Sequence, residues 1–193
     1  MKRDLENFGV LITGGGTGIG KACAAEMYSH GALVTICGRT EESLKQSVQE
    51  IVENHQDGGV IQYVTCDVTD EEQVLETVLA ADEFGEGLDG VVANAGGGGA
   101  IVPYHMQTAE EFSRVLNLNV LGTMLCIKHA VPILRKSDKA SFVGMSSIAS
   151  HLTHLWFGAY PAAKAGIEAI IRNAADEYGP ANIRFNAVRP GFI

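Results

Sequence analysis

Tyr160 and Lys164 stand four residues apart in Tyr160-Pro161-Ala162-Ala163-Lys164, and Ser147 precedes the tyrosine by thirteen. Residues four apart on a helix lie one above the other on one face. The Lys164 ammonium is therefore expected beneath the Tyr160 phenol, where its charge favours the ionised ring and makes an acid/base group usable near neutral pH. The pair is a short motif that also arises by chance, as an ordinary exposed i, i+4 contact. Ser147 has a plain reading too: a hydroxyl that closes a strand and bonds local backbone, the role expected of Ser146.

A second feature lifts the pair above chance. Thr13-Gly14-Gly15-Gly16-Thr17-Gly18-Ile19-Gly20 joins an apolar run to a helical pattern. Strict G-x-G-x-x-G fails at Ile19, and the phosphate-loop pattern beginning at Gly15 reaches Gly20-Lys21 but then has Ala22 where a Mg²⁺-holding hydroxyl is required. T-G-x-x-x-G-x-G fits at every position. Glycines there allow a tight turn and close backbone approach to a pyrophosphate, which sits at the positive end of the following helix. Gly14, Gly16, Thr17, Gly18 and Ile19 are thus expected to bind a dinucleotide. Arg39 follows Gly20 by nineteen residues, where such folds discriminate a ribose hydroxyl from a ribose phosphate. With no acidic residue ending that strand and Gly38 leaving room, NADP is expected over NAD.

At 193 residues, 46% hydrophobic and 19% charged, the chain is sized and composed for one globular domain spanning residues 1–193. Its net charge of −9, with 14 scattered basic residues, argues against nucleic acid and anionic membranes. The charged start, Met1 to Phe8, has no apolar signal region, so the cytoplasm is the expected location. Cys23, Cys37, Cys66 and Cys126 are far apart and read as reduced thiols. His151 and His154 have no Cys or carboxylate nearby in sequence to complete a metal site; beside Leu152, Leu155, Trp156 and Phe157 they are expected to line a mixed substrate wall.

These residues need a scaffold, and the pattern supplies one. Strands are expected at 8–13, 32–37, 60–66, 89–94, 140–145 and 183–188. Helices are expected at 18–30, 41–54, 70–84, 109–134 and 159–178. Such alternation gives an α/β fold, a single doubly wound parallel sheet of Rossmann type, ending after the sixth strand. The run Gly96-Gly97-Gly98-Gly99 reads as a loop at the sheet's carboxyl edge.

Assembled, these motifs resemble the short-chain dehydrogenase/reductase family, and the likeness runs from the glycine loop to the last residues. It includes Asn94-Ala95-Gly96, Cys66-Asp67-Val68, Asn119-Val120-Leu121-Gly122-Thr123, Met145-Ser146-Ser147 and Arg189-Pro190-Gly191. The resemblance implies that Asn94, Ala95 and Gly96 support the sheet beside the cofactor and that Asp67 and Val68 flank the adenine. It also implies that Asn119 is a helix-kinking asparagine that holds a water relaying protons to Lys164, that Ser147 rather than Ser146 is catalytic, and that Pro190 and Gly191 pack near the nicotinamide. Lys164 would also hold ribose hydroxyls. Family members usually continue past this point with a substrate loop, a helix and a seventh strand, so a missing C-terminal segment is expected.

The expected chemistry is hydride transfer between nicotinamide and a small-molecule carbonyl or secondary alcohol. Tyr160 exchanges the proton and Ser147 orients the oxygen. An unperturbed tyrosine titrates near ~10, so Lys164 and the oxidised nicotinamide must together lower it by a few units, each worth ~1.4 kcal/mol. Two alternatives stand beside this: a reductase of thioester-linked 3-oxoacyl or enoyl substrates, and a cofactor-binding module without turnover. The helices at 109–134 and 159–178 resemble the family's subunit-pairing helices, which implies a homodimer or homotetramer.

Overall fold

The computed structural model describes residues 4–192; the first three residues of the charged opening stretch, and Ile193, lie outside it. Six short strands alternate with helices: β1 (Gly9–Thr13), α1 (Gly18–Ser29), β2 (Leu33–Gly38), α2 (Glu41–Asn54), β3 (Val60–Thr65), α3 (Glu71–Phe84) and β4 (Gly90–Ala93). Then follow α4 (Ala109–Leu116), α5 (Gly122–Leu134), β5 (Ser141–Met145), α6 (Ala159–Tyr178) and β6 (Arg184–Val188). Their boundaries fall within a residue or two of the sequence pattern, where strand and helix ends fray.

All strand pairs are parallel, in the order β3-β2-β1-β4-β5-β6. Parallel strands covered on both faces read as continuous apolar runs. β1, Gly-Val-Leu-Ile-Thr, is buried at all five positions. Its period-2 alternation sends Leu11 to one face and Val10 and Ile12 to the other. On the first face Leu11 joins Val91, Phe142 and Phe185 under α3, α5 and α6; on the second Val10 and Ile12 meet Ile36, Ala24, Leu44 and Ile51 under α1 and α2. β1 lies between β2 and β4, so the winding reverses there, and the loops leaving β1 and β4 splay apart into a crevice.

The helical stretch 109–134, continuous by periodicity, is interrupted at Asn119, where the resemblance implies a kink. Between α4 and α5 lies a π-turn, Asn117–Leu121. Asn119 Nδ2 donates to the Val115 carbonyl at 2.8 Å, the acceptor that the Asn119 backbone N–H would take in an α-helix. A side chain that competes with the backbone in this way opens the helix locally, and π-turns frequently mark functional positions. Residues 109–134 are long and apolar enough to cross a membrane by length and composition, but half of the most apolar window is buried inside this domain.

Candidate active site

The glycine loop forms the floor of the crevice. Gly14 has φ +68, a left-handed conformation that disfavours other residues, and a Cβ there would lie 2.8 Å from Asn94 Nδ2. The turn is held from two sides. Ser47 Oγ on α2 donates to the Gly15 carbonyl at 3.0 Å, and Asn94 Nδ2 donates to the carbonyls of Thr13 and Gly14 at 2.9 and 3.3 Å. Thr13 Oγ1 in turn accepts from the N–H groups of Asn94 and Ala95. These bonds tie the carboxyl ends of β1 and β4 together across 81 residues of chain. Thr17 begins α1 without a side-chain cap, and Thr17, Gly18 and Ile19 line the crevice, so its first-turn N–H groups are available to an anion.

On one side a cavity of about 260 Å³ is lined by Gly16, Arg39, Asp67, Val68, Ala95 and Gly96, among others. A Cβ on Gly38 would meet nothing nearer than Leu44 Cδ2 at 3.6 Å, an ordinary contact. Burial pushes the Asp67 carboxyl up, but hydrogen bonds from the Thr69 N–H and hydroxyl and the charge of Arg39 outweigh it, so it sits below the usual range. All four cysteines are free thiols.

On the other side a cavity of about 600 Å³ brings together Gly14, Asn94, Ser147, Tyr160, Lys164, Pro190 and Gly191, with Ile101, Met145, Phe157 and Phe192 as apolar wall. Lys164 is 4% exposed; its Nζ donates to the Met145 carbonyl at 2.8 Å and lies 5.5 Å from the Tyr160 ring centre. Burial lowers its pKa from 10.5 to about 8, which leaves it mostly protonated at neutral pH. Ser147 Oγ accepts from the Ala149 N–H at 3.2 Å and caps the short 3₁₀ turn Ile148–Ser150.

Asn119 is fully buried. Besides Val115, its Nδ2 donates to the Gly97 carbonyl at 2.9 Å, and its Oδ1 accepts from the Gly97 N–H at 3.3 Å. A Cβ placed on Gly96 would lie 2.5 Å from Asn119 Oδ1 and 3.1 Å from Lys164 Nζ, so the π-turn, the glycine run and the lysine meet at one point. His151 and His154 are not among the residues lining the cavity, contrary to the substrate-wall reading. The His154 ring packs against Phe157 and Phe192, with centres 5.3 and 5.9 Å away. The His151 side chain is 58% exposed. Aromatic neighbours in sequence kept the histidines beside the wall, while the phenylalanines themselves form it.

Sequence reasoning missed two residues beside this cavity. Glu168, four residues after Lys164 on α6, is buried and accepts both Nε and Nη2 of Arg189, at 2.6 and 2.5 Å, together with the hydroxyls of Ser146 and Ser150. The Arg189 guanidinium holds the Glu168 carboxyl down to about 2 against the upward push of burial, with Ser150 and Ser146 assisting. A depressed carboxylate stabilises the fold above the ordinary glutamate value of 4.5, and that contribution is lost as pH falls toward about 2. The available signal was position: Glu168 falls in phase with the apolar stripe Ala163, Ile167 and Ile171, where a carboxylate needs a partner.

A parallel sheet that reverses its winding at β1, with a glycine turn feeding a helix N-terminus and a tyrosine–lysine pair across the same crevice, defines a dinucleotide-binding oxidoreductase. The chain belongs to the short-chain dehydrogenase family, whose model matches residues 9–193. It is 36% identical over 184 residues to levodione reductase of Leifsonia aquatica, covering 95% of this chain and 68% of the relative. It is 32% identical over 191 residues to the 2,5-dichloro-2,5-cyclohexadiene-1,4-diol dehydrogenase of Sphingobium indicum, covering 98% and 74%. A solved short-chain dehydrogenase/reductase from Mycobacterium ulcerans superposes with a TM-score of 0.94 at 40% identity, covering 97% of this chain and 68% of that one. The family binds a nicotinamide dinucleotide, and the uncapped α1 N-terminus and the glycine floor suit its pyrophosphate.

Proposed function

We propose that the protein is an NADP(H)-dependent oxidoreductase for an uncharged carbonyl or secondary alcohol carried on an apolar frame. The observation that carries this reading is the single cavity shared by Ser147, Tyr160, Lys164, the glycine floor and the Pro190–Gly191 turn. When bound, the nicotinamide supplies or takes up the hydride. Tyr160 gives its proton to the developing alkoxide in reduction and takes it back in oxidation. Ser147 uses a lone pair on the Ala149 N–H, which leaves its own O–H free to orient the substrate oxygen. Lys164 spends one of its three donors on Met145 and keeps two for the ribose hydroxyls and the phenol side.

Asn119 takes a supporting role in this reading. Its amide donors are committed to Val115 and Gly97, so it anchors the π-turn and the glycine run beside Lys164. The wall of Ile101, Met145, Phe157 and Phe192 supports an apolar substrate, as does the ring diol in the name of the Sphingobium relative. Assay of a carbonyl and alcohol panel by nicotinamide absorbance tests the function directly. No turnover across the panel, with cofactor bound, would reject it.

The NADP preference rests on Arg39 and the open Gly38 at the smaller cavity. Arg39→Ala should weaken NADP binding by about tenfold or more, through loss of a charge-assisted contact worth ~1.5–3 kcal/mol, and leave NAD unchanged. Titrations with both cofactors measure it, and tighter binding of NAD by the unaltered protein would overturn the preference. For assembly we assign an isologous homodimer to the outer faces of α5 and α6, where Ala162, Ala165 and Ala169 are exposed and let helices approach closely. Light scattering at micromolar concentration reads this; a strict monomer rejects it.

A further inference from the structure

We infer that Glu168 and Arg189 are positioning residues: together they clamp the serine segment and the Pro190–Gly191 turn against the face of α6 that carries Tyr160 and Lys164. The inference rests on the roles proposed above for Ser147, Tyr160 and Lys164. The Glu168 side chain is 5% exposed, and its donors come from separate parts of the chain. Ser146, at 2.7 Å, directly precedes Ser147 at the end of β5. Ser150, at 2.5 Å, ends the turn that Ser147 caps. Arg189, forked onto both carboxylate oxygens, follows β6 and directly precedes Pro190. His151 Nε2 stands 4.0 Å from the second oxygen.

Backbone bonds run alongside the fork. Ser146 N donates to the Val188 carbonyl at 2.8 Å, and Ile148 N donates to the Pro190 carbonyl at 3.1 Å, so the segments bearing Ser147 and Pro190 move as one piece. That piece is attached to α6 at adjacent points. Lys164 Nζ bonds Met145, and Ser146 Oγ lies within reach of both the Lys164 carbonyl, at 3.1 Å, and Glu168. The single Ser146 proton serves one of those acceptors at a time. Glu168 and Arg189 are absent from the lining of the cavity, so they act on the reaction only through the groups they hold.

Stability alone does not account for this pair. The Glu168 carboxylate is buried but the Arg189 side chain is 43% exposed, so solvent screens the pair and limits its contribution to stability, whereas a bidentate guanidinium–carboxylate fork fixes distance and angle at once. An arginine one residue from the turn, forked onto a rigid helix, sets the direction in which Pro190 and Gly191 leave β6. Misplacement of reacting groups by about 1 Å lowers rates by up to ~10²-fold, so a clamp at this point has a kinetic consequence out of proportion to its contacts.

The test compares Glu168→Ala, Arg189→Ala, their double variant, and the near-isosteric Glu168→Gln and Arg189→Lys. Readouts are kcat, KM, NADPH titration by nicotinamide fluorescence, and thermal unfolding. Each single change should lower kcat by about tenfold or more, with the double variant no worse, because the two residues act as a unit. Arg189→Lys, which keeps the charge and loses the fork, should recover the unfolding temperature but not kcat. Independent multiplicative losses, or wild-type kcat in Arg189→Lys, would overturn the clamp. If the alanine variants do not fold, Glu168→Gln and Arg189→Lys decide it by the same two criteria. Should the unaltered protein turn over no carbonyl, the functional reading fails separately, and the emission of bound NADPH then reads the clamp: a shift in Arg189→Lys supports it and an unchanged spectrum overturns it.

Discussion

Replacing Tyr160 with phenylalanine is expected to lower kcat by about 10²–10⁴-fold, the usual worth of a positioned general acid, while cofactor titrations stay within about twofold of the unaltered protein. The change removes one oxygen and keeps the ring, so the packing of Phe157 against Tyr160, 6.3 Å between centres, is retained. A variant that keeps its activity would refute the assignment, and one that loses cofactor would turn Tyr160 into a structural residue. The pH profile of reduction adds an independent reading. Lys164 is charged below about 8, so kcat/KM should fall as pH rises through that value. In Lys164→Arg, whose side chain does not titrate in this range, the limb should move away from that value; an unmoved limb would assign it to another group.

The second large effect concerns the floor. A Cβ on Gly20 would lie 2.3 Å from the Gly14 carbonyl oxygen and 2.5 Å from Asn94 Nδ2, so the first turn of α1 must move off the loop. Gly20→Ala is expected to weaken NADP binding by about 100-fold or more and to destabilise the fold by ~1–3 kcal/mol, the range for overpacking. Cofactor titration and thermal unfolding measure the two parts. Binding within about threefold of the unaltered protein would show that the close approach of α1 to β1 is not what holds the pyrophosphate end.

How much of this was legible in the chain follows from the range of each interaction. Local periodicity marked the strands and helices, and T-G-x-x-x-G-x-G marked the turn at β1, because both depend on neighbours a few residues away. That Ser147, Tyr160 and Lys164 would share one cavity was implied by the family resemblance, through the thirteen-residue spacing from Ser147 to Tyr160 and the four-residue spacing to Lys164. What escaped depends on partners far apart in sequence. The Thr13–Asn94 and Ser47–Gly15 bonds that hold the floor span 81 and 32 residues. Glu168 meets Arg189 only once β6 has docked beside β5, and nothing near either residue names the other. The break at Asn119 was implied by the family resemblance, which puts a helix-kinking asparagine there, and not by periodicity, because Asn119 leaves the helical pattern unbroken and alters only the hydrogen-bond ladder. The histidines misled for the same reason reversed: proximity to aromatic residues in sequence did not place them in the cavity.

The position of β1 between β2 and β4 also bears on how the molecule is made. β1 and β2 are joined by one helix, but β1 reaches β4 only after the loop carrying β2, β3 and three helices has closed. Closure of so long a loop has to precede the contacts that reward it, which slows parallel sheets with distant partners. Thr13 and Asn94 are the hinge of that closure and, at the same time, the underside of the dinucleotide floor. The site is therefore absent from any partly folded chain that has paired only β1, β2 and β3. A cofactor at a hundred times its Kd adds about 2.7 kcal/mol to the completed fold and nothing to a chain in which β1 has not yet paired with β4.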